Sequence, residues 1–404
     1  MPHTLALGSF IWLLLVASLV AIVSERLRFP YAIGLVVVGL GLASGPLLPP
    51  VRLEPHTLFT LFLPPLLFET AVQLDAHELR RDWIPITLLA LFGTLASALL
   101  VGSMTAYFVA LPLAVALVFG AIVSPTDPIS VIAILKRLNV SRRLMLLVES
   151  ESLFNDGVAL VLFTSLLALA QGGAASPWDA AGRFFSVMLG GAGIGALAGA
   201  LASRLVRVGN TPLLGLLVTT VLAFGSYMVA DACGVSGVVA VVAAGGVFGN
   251  LAWRRREEHE AREVVETFWE YAAFVVNSIV FLLIGMEETR WHWWLLPGAV
   301  LSAILAVLVA RAVSVYALSW LSGALGAPIP RTWQNLLVWG GLRGALSMAM
   351  ALGLPADFPQ RGLILGMTFG YVLFSLIVQG LTAGPMIRWL RLSGEPAPEQ
   401  AEGA

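Results

Sequence analysis

Stretches of about 20 apolar residues follow one another along nearly the whole chain, and each is long enough to cross a bilayer core about 30 Å thick as a helix. The connectors between them run from a few to about 16 residues. Of the 404 residues, 58% are hydrophobic and 12% charged, with a mean hydropathy of +0.90; soluble domains carry about twice that charge. Lipid offers no partner for free backbone groups, so apolar runs of this length must be helical. The chain therefore reads as an all-α polytopic membrane protein. About thirteen spans are expected, beginning near Leu5, Ala32, His56, Ile84, Pro112, Leu144, Phe184, Pro212, Val235, Trp269, Trp294, Thr332 and Leu363. The first run lacks preceding basic residues and is long enough to span, which favours a helix over a cleaved leader.

The basic residues test this division independently, because they should collect in alternate connectors on the cytoplasmic side. Of the 23, seventeen, from Arg26 to Arg391, fall on one side, and four, Arg52, Arg183, Arg290 and Arg361, on the other. Arg311 and Arg343 lie inside spans. An error of one span would scramble the alternation downstream. The amino terminus is thus expected outside and the carboxyl terminus cytoplasmic, in the cell (inner) membrane. Trp291, Trp293 and Trp294 suit an outer aromatic belt, and Gly191, Gly195 and Gly199 form a small-residue face for close packing. The connector "WRRREEHEAREVVETF" suits a surface helix along the membrane, and residues 393–404 have the composition of a short disordered tail. A lone Cys233 permits no internal disulfide, and His3, His56, His77, His259 and His292 show no metal-cluster spacing.

An ionisable side chain at membrane depth costs several kcal/mol and needs a partner or a job. The candidates are Glu69, Asp127, Glu149, Glu151, Asp156, Asp231, Arg311 and Arg343. In "LLVESESLFNDGVALVLF" of span 6, Ser152 and Asp156 are four apart, as are Glu151 and Asn155. A helix puts these pairs on adjoining parts of one face. Glu149 is nearer the cytoplasmic end and suits solvation or ion pairing; Arg311 suits an ion pair or a snorkelling side chain.

Span 5 contains "SPTDP", with Pro125 and Pro128 around Asp127. Proline removes a backbone donor and biases the preceding residue away from helix, so the span breaks into two half-helices. Unwound backbone at this depth must be buried in protein or line a cavity. Span 12 shows a second anomaly, Gly340, Gly341 and Gly344 around Arg343. Spans 5 and 12 hold equivalent places in two six-span halves and cross in opposite senses. This pattern predicts two inverted six-helix repeats whose broken helices cross at the midplane. Asp127 would then offset the positive ends of the half-helices and Arg343 the negative ends.

These segments resemble the monovalent cation:proton antiporters of the sodium/proton exchanger family, bacterial branch. The likeness rests on "FLPPLLFETAVQLD", "AIVSPTDPISV", "ESESLFNDGVALVLF", "GVSGVVAVVAAGGVFGN", "FLLIGME" and "GGLRGALSMAMAL" in that order. It implies one integral domain, 1–392. Within it, a dimerisation part comprises spans 1–3 and 7–10 (about 5–74 and 184–286), and a moving core spans 4–6 and 11–13 (about 84–170 and 294–390). It further implies that Asp156 binds the cation and the proton beside Asn155. Ser152, the Thr126 carbonyl and Glu69 complete or support the cation site, and Glu151 pairs with Arg343. Relatives with Asp-Asp at this place form the electrogenic branch, so Asn155 implies electroneutral exchange. Thr70 departs from the small residue usual after Glu69.

A carboxylate can hold a proton or a hard cation through the same lone pairs, so each ligand excludes the other. The expected function is antiport of Na⁺ (or Li⁺/K⁺) against H⁺ by elevator-type alternating access, serving pH homeostasis. The expected assembly is a homodimer in the lipid bilayer, with no cofactor, no enzymatic reaction and no nucleic acid. A K⁺-selective proton antiporter or a cation channel would use the same carboxylates, whereas a receptor or scaffold has no use for a midplane Asp156. An anion transporter would need the half-helix N-termini free of Asp127.

Overall fold

The computed structural model describes residues 7–27, 30–43, 58–172, 177–209, 211–253, 259–288 and 296–393, and what it describes is helical throughout apart from the connections. The first third comprises α1 (Leu7–Leu27), α2 (Tyr31–Ala43), α3 (Leu63–Gln73, entered through a π turn at Leu58–Phe62), the short α4 (Ala76–Arg81) and α5 (Trp83–Phe108). Next come α6 (Leu113–Ile122), α7 (Ile129–Arg137), α8 (Arg142–Ala170), α9 (Pro177–Gly209), α10 (Pro212–Ala232), α11 (Gly237–Ala252) and α12 (His259–Glu288). The chain closes with α13 (Pro297–Ala324), α14 (Arg331–Trp339), α15 (Ala345–Leu352) and α16 (Arg361–Trp389).

Eight of these, among the described residues, are long and apolar enough to cross a membrane: α1, α5, α8, α9, α10, α12, α13 and α16. Shorter apolar helices, α2, α3, α6 and α11, pack among them. Leucine and tryptophan side chains such as Trp12, Leu189, Leu213 and Trp320 stand exposed on the outer faces, as an apolar solvent allows.

Helix α11 packs against α3, α9 and α10, and α12 against α2, α3 and α10, while α5 packs on α6 and α13, α8 on α6, and α13 on α16. The Gly191, Gly195 and Gly199 face of α9 meets the backbone carbonyls of Ser236, Ala240 and Ala244 on α11, so closely that a Cβ would overlap them. No larger residue allows that approach.

One expectation fails here. The connector expected to lie along the membrane runs, from His259 onward, without a break into α12. Val265 is fully buried and packs beside Gly215 of α10, while Val264 and Phe268 lie at the surface. Helical periodicity turned that stripe toward a neighbouring helix, where burial is available on the protein itself. The tryptophans 291, 293 and 294 and residues 394–404 lie outside the described residues.

Candidate functional site

Two interruptions face each other inside the helix packing. The first separates α6 from α7, with Ser124 to Pro128 non-helical. The second separates α14 from α15, with Gly341 to Gly344 non-helical. They touch through the backbone: the Asp127 amide donates to the Leu342 carbonyl at 2.8 Å.

Prolines 125 and 128 leave Thr126 with free backbone groups, and α8 takes them up. The Asn155 Oδ1 accepts from the Thr126 amide at 3.3 Å, and its Nδ2 donates to the Thr126 hydroxyl at 2.7 Å. The Ser152 hydroxyl donates to the Thr126 carbonyl. Three of the five residues expected at the cation site, Thr126, Ser152 and Asn155, are thereby joined in one bonded group, and each is buried. Asp156 follows directly on α8 and is half-buried; its carboxyl lies within range of the charges on Asp127 and Arg343.

Asp127 closes the positive ends. Its Oδ1 accepts from the Ile129 amide at 3.0 Å at the start of α7. Its other oxygen lies against Gly344 at the start of α15, where a Cβ would collide with it. Arg343, with no exposed surface, serves the opposite ends. Its Nε donates to the Val123 carbonyl at 2.6 Å, beyond the last turn of α6, and its Nη1 to the Gly341 carbonyl at 2.7 Å, beyond α14. Helix C-termini carry about half a negative charge, which a buried guanidinium offsets.

Glu151 does not pair with Arg343. Its carboxylate takes a bidentate ion pair from Arg311 of α13, at 2.5 and 3.0 Å, and Arg311 also donates to the Leu337 carbonyl of α14 at 2.9 and 3.1 Å. The reason is geometric. Arg343 turns Nε and Nη1 to two half-helix carbonyls and its Nη2 finds no hydrogen-bond partner among the described residues, while Arg311 enters from a separate helix with its fork aimed at both Glu151 and the end of α14. Glu151 is 2% exposed and Arg311 7%.

Glu69 stands apart from the Thr126 group. Its carboxylate accepts from the Thr70 hydroxyl at 2.9 Å and from Gln73 at 3.1 Å, both on α3. Thr70, the departure noted in the sequence, thus holds one of its oxygens. Glu69 lines a cavity of about 950 Å³ that also reaches Pro128, Ile132, Lys136, Glu149 and Glu270. The cavity lies between α1, α3 and α12 on one wall and α7, α8 and α16 on the other. Asp231 is exposed at the end of α10, away from the breaks.

Sequence reasoning missed the contribution of α16. A π turn at Ser375–Gln379 brings the Ser375 hydroxyl to the Arg343 amide at 3.2 Å and the Gln379 amide to the Trp339 carbonyl at 3.0 Å. Both side chains are fully buried. The available signal was a pair of polar residues four apart in an otherwise apolar run, and π turns of this kind recur at functional sites.

A family model described as "Sodium/hydrogen exchanger, transmembrane" matches residues 14–389. The chain is 40% identical to the Na(+)/H(+) antiporter ApNhaP of Aphanothece halophytica over 95% of this chain and 74% of that protein. It is 38% identical to the low-affinity Na(+)/H(+) antiporter NhaS1 of Synechocystis sp., over 98% of this chain and 77% of that protein. In fold it is similar to the sodium proton antiporter MjNhaP1 of Methanocaldococcus jannaschii, with a TM-score of 0.78, 22% identity and coverage of 98% of this chain and 100% of that one.

Proposed function

This chain belongs to the sodium/hydrogen exchanger family and is a secondary active Na⁺/H⁺ antiporter, not an enzyme; we propose that one proton exchanges for one cation at Asp156 in each turnover. The observation that carries this reading is the bonded group of Thr126, Ser152 and Asn155 next to the half-buried Asp156, the neighbouring Asp127 being taken up at the start of α7. The Thr126 carbonyl and the Ser152 hydroxyl are hard oxygen ligands for a monovalent cation, and Asp156 supplies the charge. Cation and proton compete for the same carboxylate lone pairs, which couples their movements. Asn155 cannot titrate, so the site crosses neutralised by one ligand or the other. A bare carboxylate pays the cost of burial.

Asp127, Arg343 and the Glu151–Arg311 pair brace the two breaks in this reading, and Glu69 supports the site from the cavity wall. Occupation of the half-helix N-termini by Asp127 disfavours an anion as substrate. Thirteen spans in two inverted six-helix repeats accommodate the eight long helices, the shorter apolar ones and the two broken crossings. A dimerisation part of spans 1–3 and 7–10 holds a core of spans 4–6 and 11–13, which moves as an elevator past the large cavity. The protein works as a homodimer, with its amino terminus outside and its carboxyl terminus cytoplasmic.

Reconstitution into liposomes with an internal pH-sensitive dye and a valinomycin-clamped potential tests the reading. A NaCl gradient should move protons, and Asp156→Asn should abolish that movement in a protein that still folds. With equal cation and pH on both sides, about 100 mV, worth roughly 2.3 kcal/mol per charge, should move no protons. A cation-dependent pH change driven by voltage would show a second charge moving per cycle. Exchange surviving in Asp156→Asn would place coupling elsewhere, and ion conduction without proton movement would indicate a channel. Repeating the pulse with KCl and LiCl ranks the cations.

A further inference from the structure

The large cavity carries opposite charges on its two walls. Glu25 of α1, Glu69 of α3 and Glu270 of α12 face Lys136 and Arg137 of α7, Arg142 and Glu149 of α8, and Arg388 of α16. Lys136 differs from the other cations. Its charge acts on both Glu69 and Glu149, and it is the one basic group acting on Glu69 among the described residues. Arg142 is held by Glu78 at 3.5 Å. Lys136 is exposed at the end of α7, ten residues after Thr126, and has no direct ion pair among the described residues. A flexible four-carbon stem lets its ammonium range over the space between the two carboxylates.

The cavity ends at Pro128, two residues from Thr126, so a cation that comes to the Thr126 group from this side passes the same two carboxylates. We propose that Lys136 is an affinity-setting residue for the exchange, a tethered cation that competes with the transported one for Glu69 and Glu149 and so sets its apparent affinity from the cavity side. The inference rests on the antiport reading and adds to it a residue that touches neither Asp156 nor the half-helix ends. An ammonium and a sodium ion cannot both neutralise one carboxylate, and the charge in the cleft fixes how strongly free cation concentrates there. Lys136 rides with α7 in the moving core, so its charge travels with the loaded site and bears on how the cation loads rather than on the motion itself. The effect therefore falls on KM and leaves kcat alone.

The test is Na⁺-driven proton movement in liposomes, with NaCl varied on the cavity side and ionic strength held by choline chloride. Lys136→Gln should lower the KM for Na⁺ roughly three- to tenfold at low ionic strength, with kcat within about twofold of the parent. The difference should shrink toward 1 M salt, where screening acts over about 3 Å. Lys136→Arg keeps the charge and should keep the parental KM. In a Glu149→Gln background the Lys136→Gln effect should diminish, because one of the contested carboxylates is gone. An active parent whose KM is unchanged by Lys136→Gln overturns the proposal alone and leaves a lysine that merely offsets the C-terminus of α7. So does a shift equally large in Lys136→Arg, or one insensitive to salt. A parent that moves no protons under a Na⁺ gradient overturns the antiport reading, and this proposal with it.

Discussion

The two broken crossings reach the same geometry by opposite chemistry. Between α6 and α7 the helix is broken by prolines, which withhold donors, and the freed groups of Thr126 are taken up by side chains from α8. Between α14 and α15 it is broken by glycines, and the freed carbonyl of Gly341 is taken up by Arg343 from within the break itself. The proline break keeps polar side chains and a half-buried Asp127 near the cavity; the glycine break buries its arginine completely. The difference teaches a division of labour. In the function proposed above, the Thr126 group supplies oxygen atoms that exchange partners with a cation, and Arg343 holds carbonyls at the break.

The largest effects should come from the arginines that hold the glycine side. Arg311→Ala leaves Glu151 charged and buried without its partner, and losses of this kind cost about 3–5 kcal/mol. Arg343→Ala leaves the Val123 and Gly341 carbonyls without donors, at about 1–3 kcal/mol each. Both variants should melt earlier than the parent in detergent, with Arg311→Ala at least as damaged as Arg343→Ala. An Arg311→Ala protein as thermostable as the parent would remove Glu151 from the brace.

A smaller effect should follow at the point where the two breaks meet. Gly344→Ala puts a methyl group where the Asp127 carboxylate lies, so one of the two must shift. Transport should fall about tenfold, with a modest loss of stability of about 1–2 kcal/mol, within the range for overpacking. Unchanged transport would mean that Asp127 is free to turn away without consequence.

The smallest effect should appear on the proline side. Ser152→Ala removes one hydroxyl from the Thr126 carbonyl, and a neutral hydrogen bond is worth about 1 kcal/mol. Thermostability should hardly change, while the KM for Na⁺ rises several-fold if that hydroxyl is also a cation ligand. A melting loss as large as that of Arg343→Ala would erase the distinction between site and brace.

Much of this was legible in the residues. Apolar runs of membrane length can only be helices in lipid, and prolines around Asp127 and glycines around Arg343 mark breaks wherever they fall. The spacing of Ser152, Asn155 and Asp156 puts them together on a helix regardless of what that helix packs against. These are properties of the backbone and of local spacing, so the sequence by itself determined them. Partner choice is different. Glu151 takes Arg311, 160 residues away, because two arginines stood within the membrane and only the packing of α13 against α14 selected between them. The connector before α12 turned inward for the same reason, since a periodic stripe does not say which surface will cover it. Ser375 and Gln379 drew no attention, as a buried polar group reveals its purpose only through its neighbour. Tertiary structure alone decided these matters, because an ion pair or a buried hydrogen bond depends on the distance between helices, which no local pattern encodes.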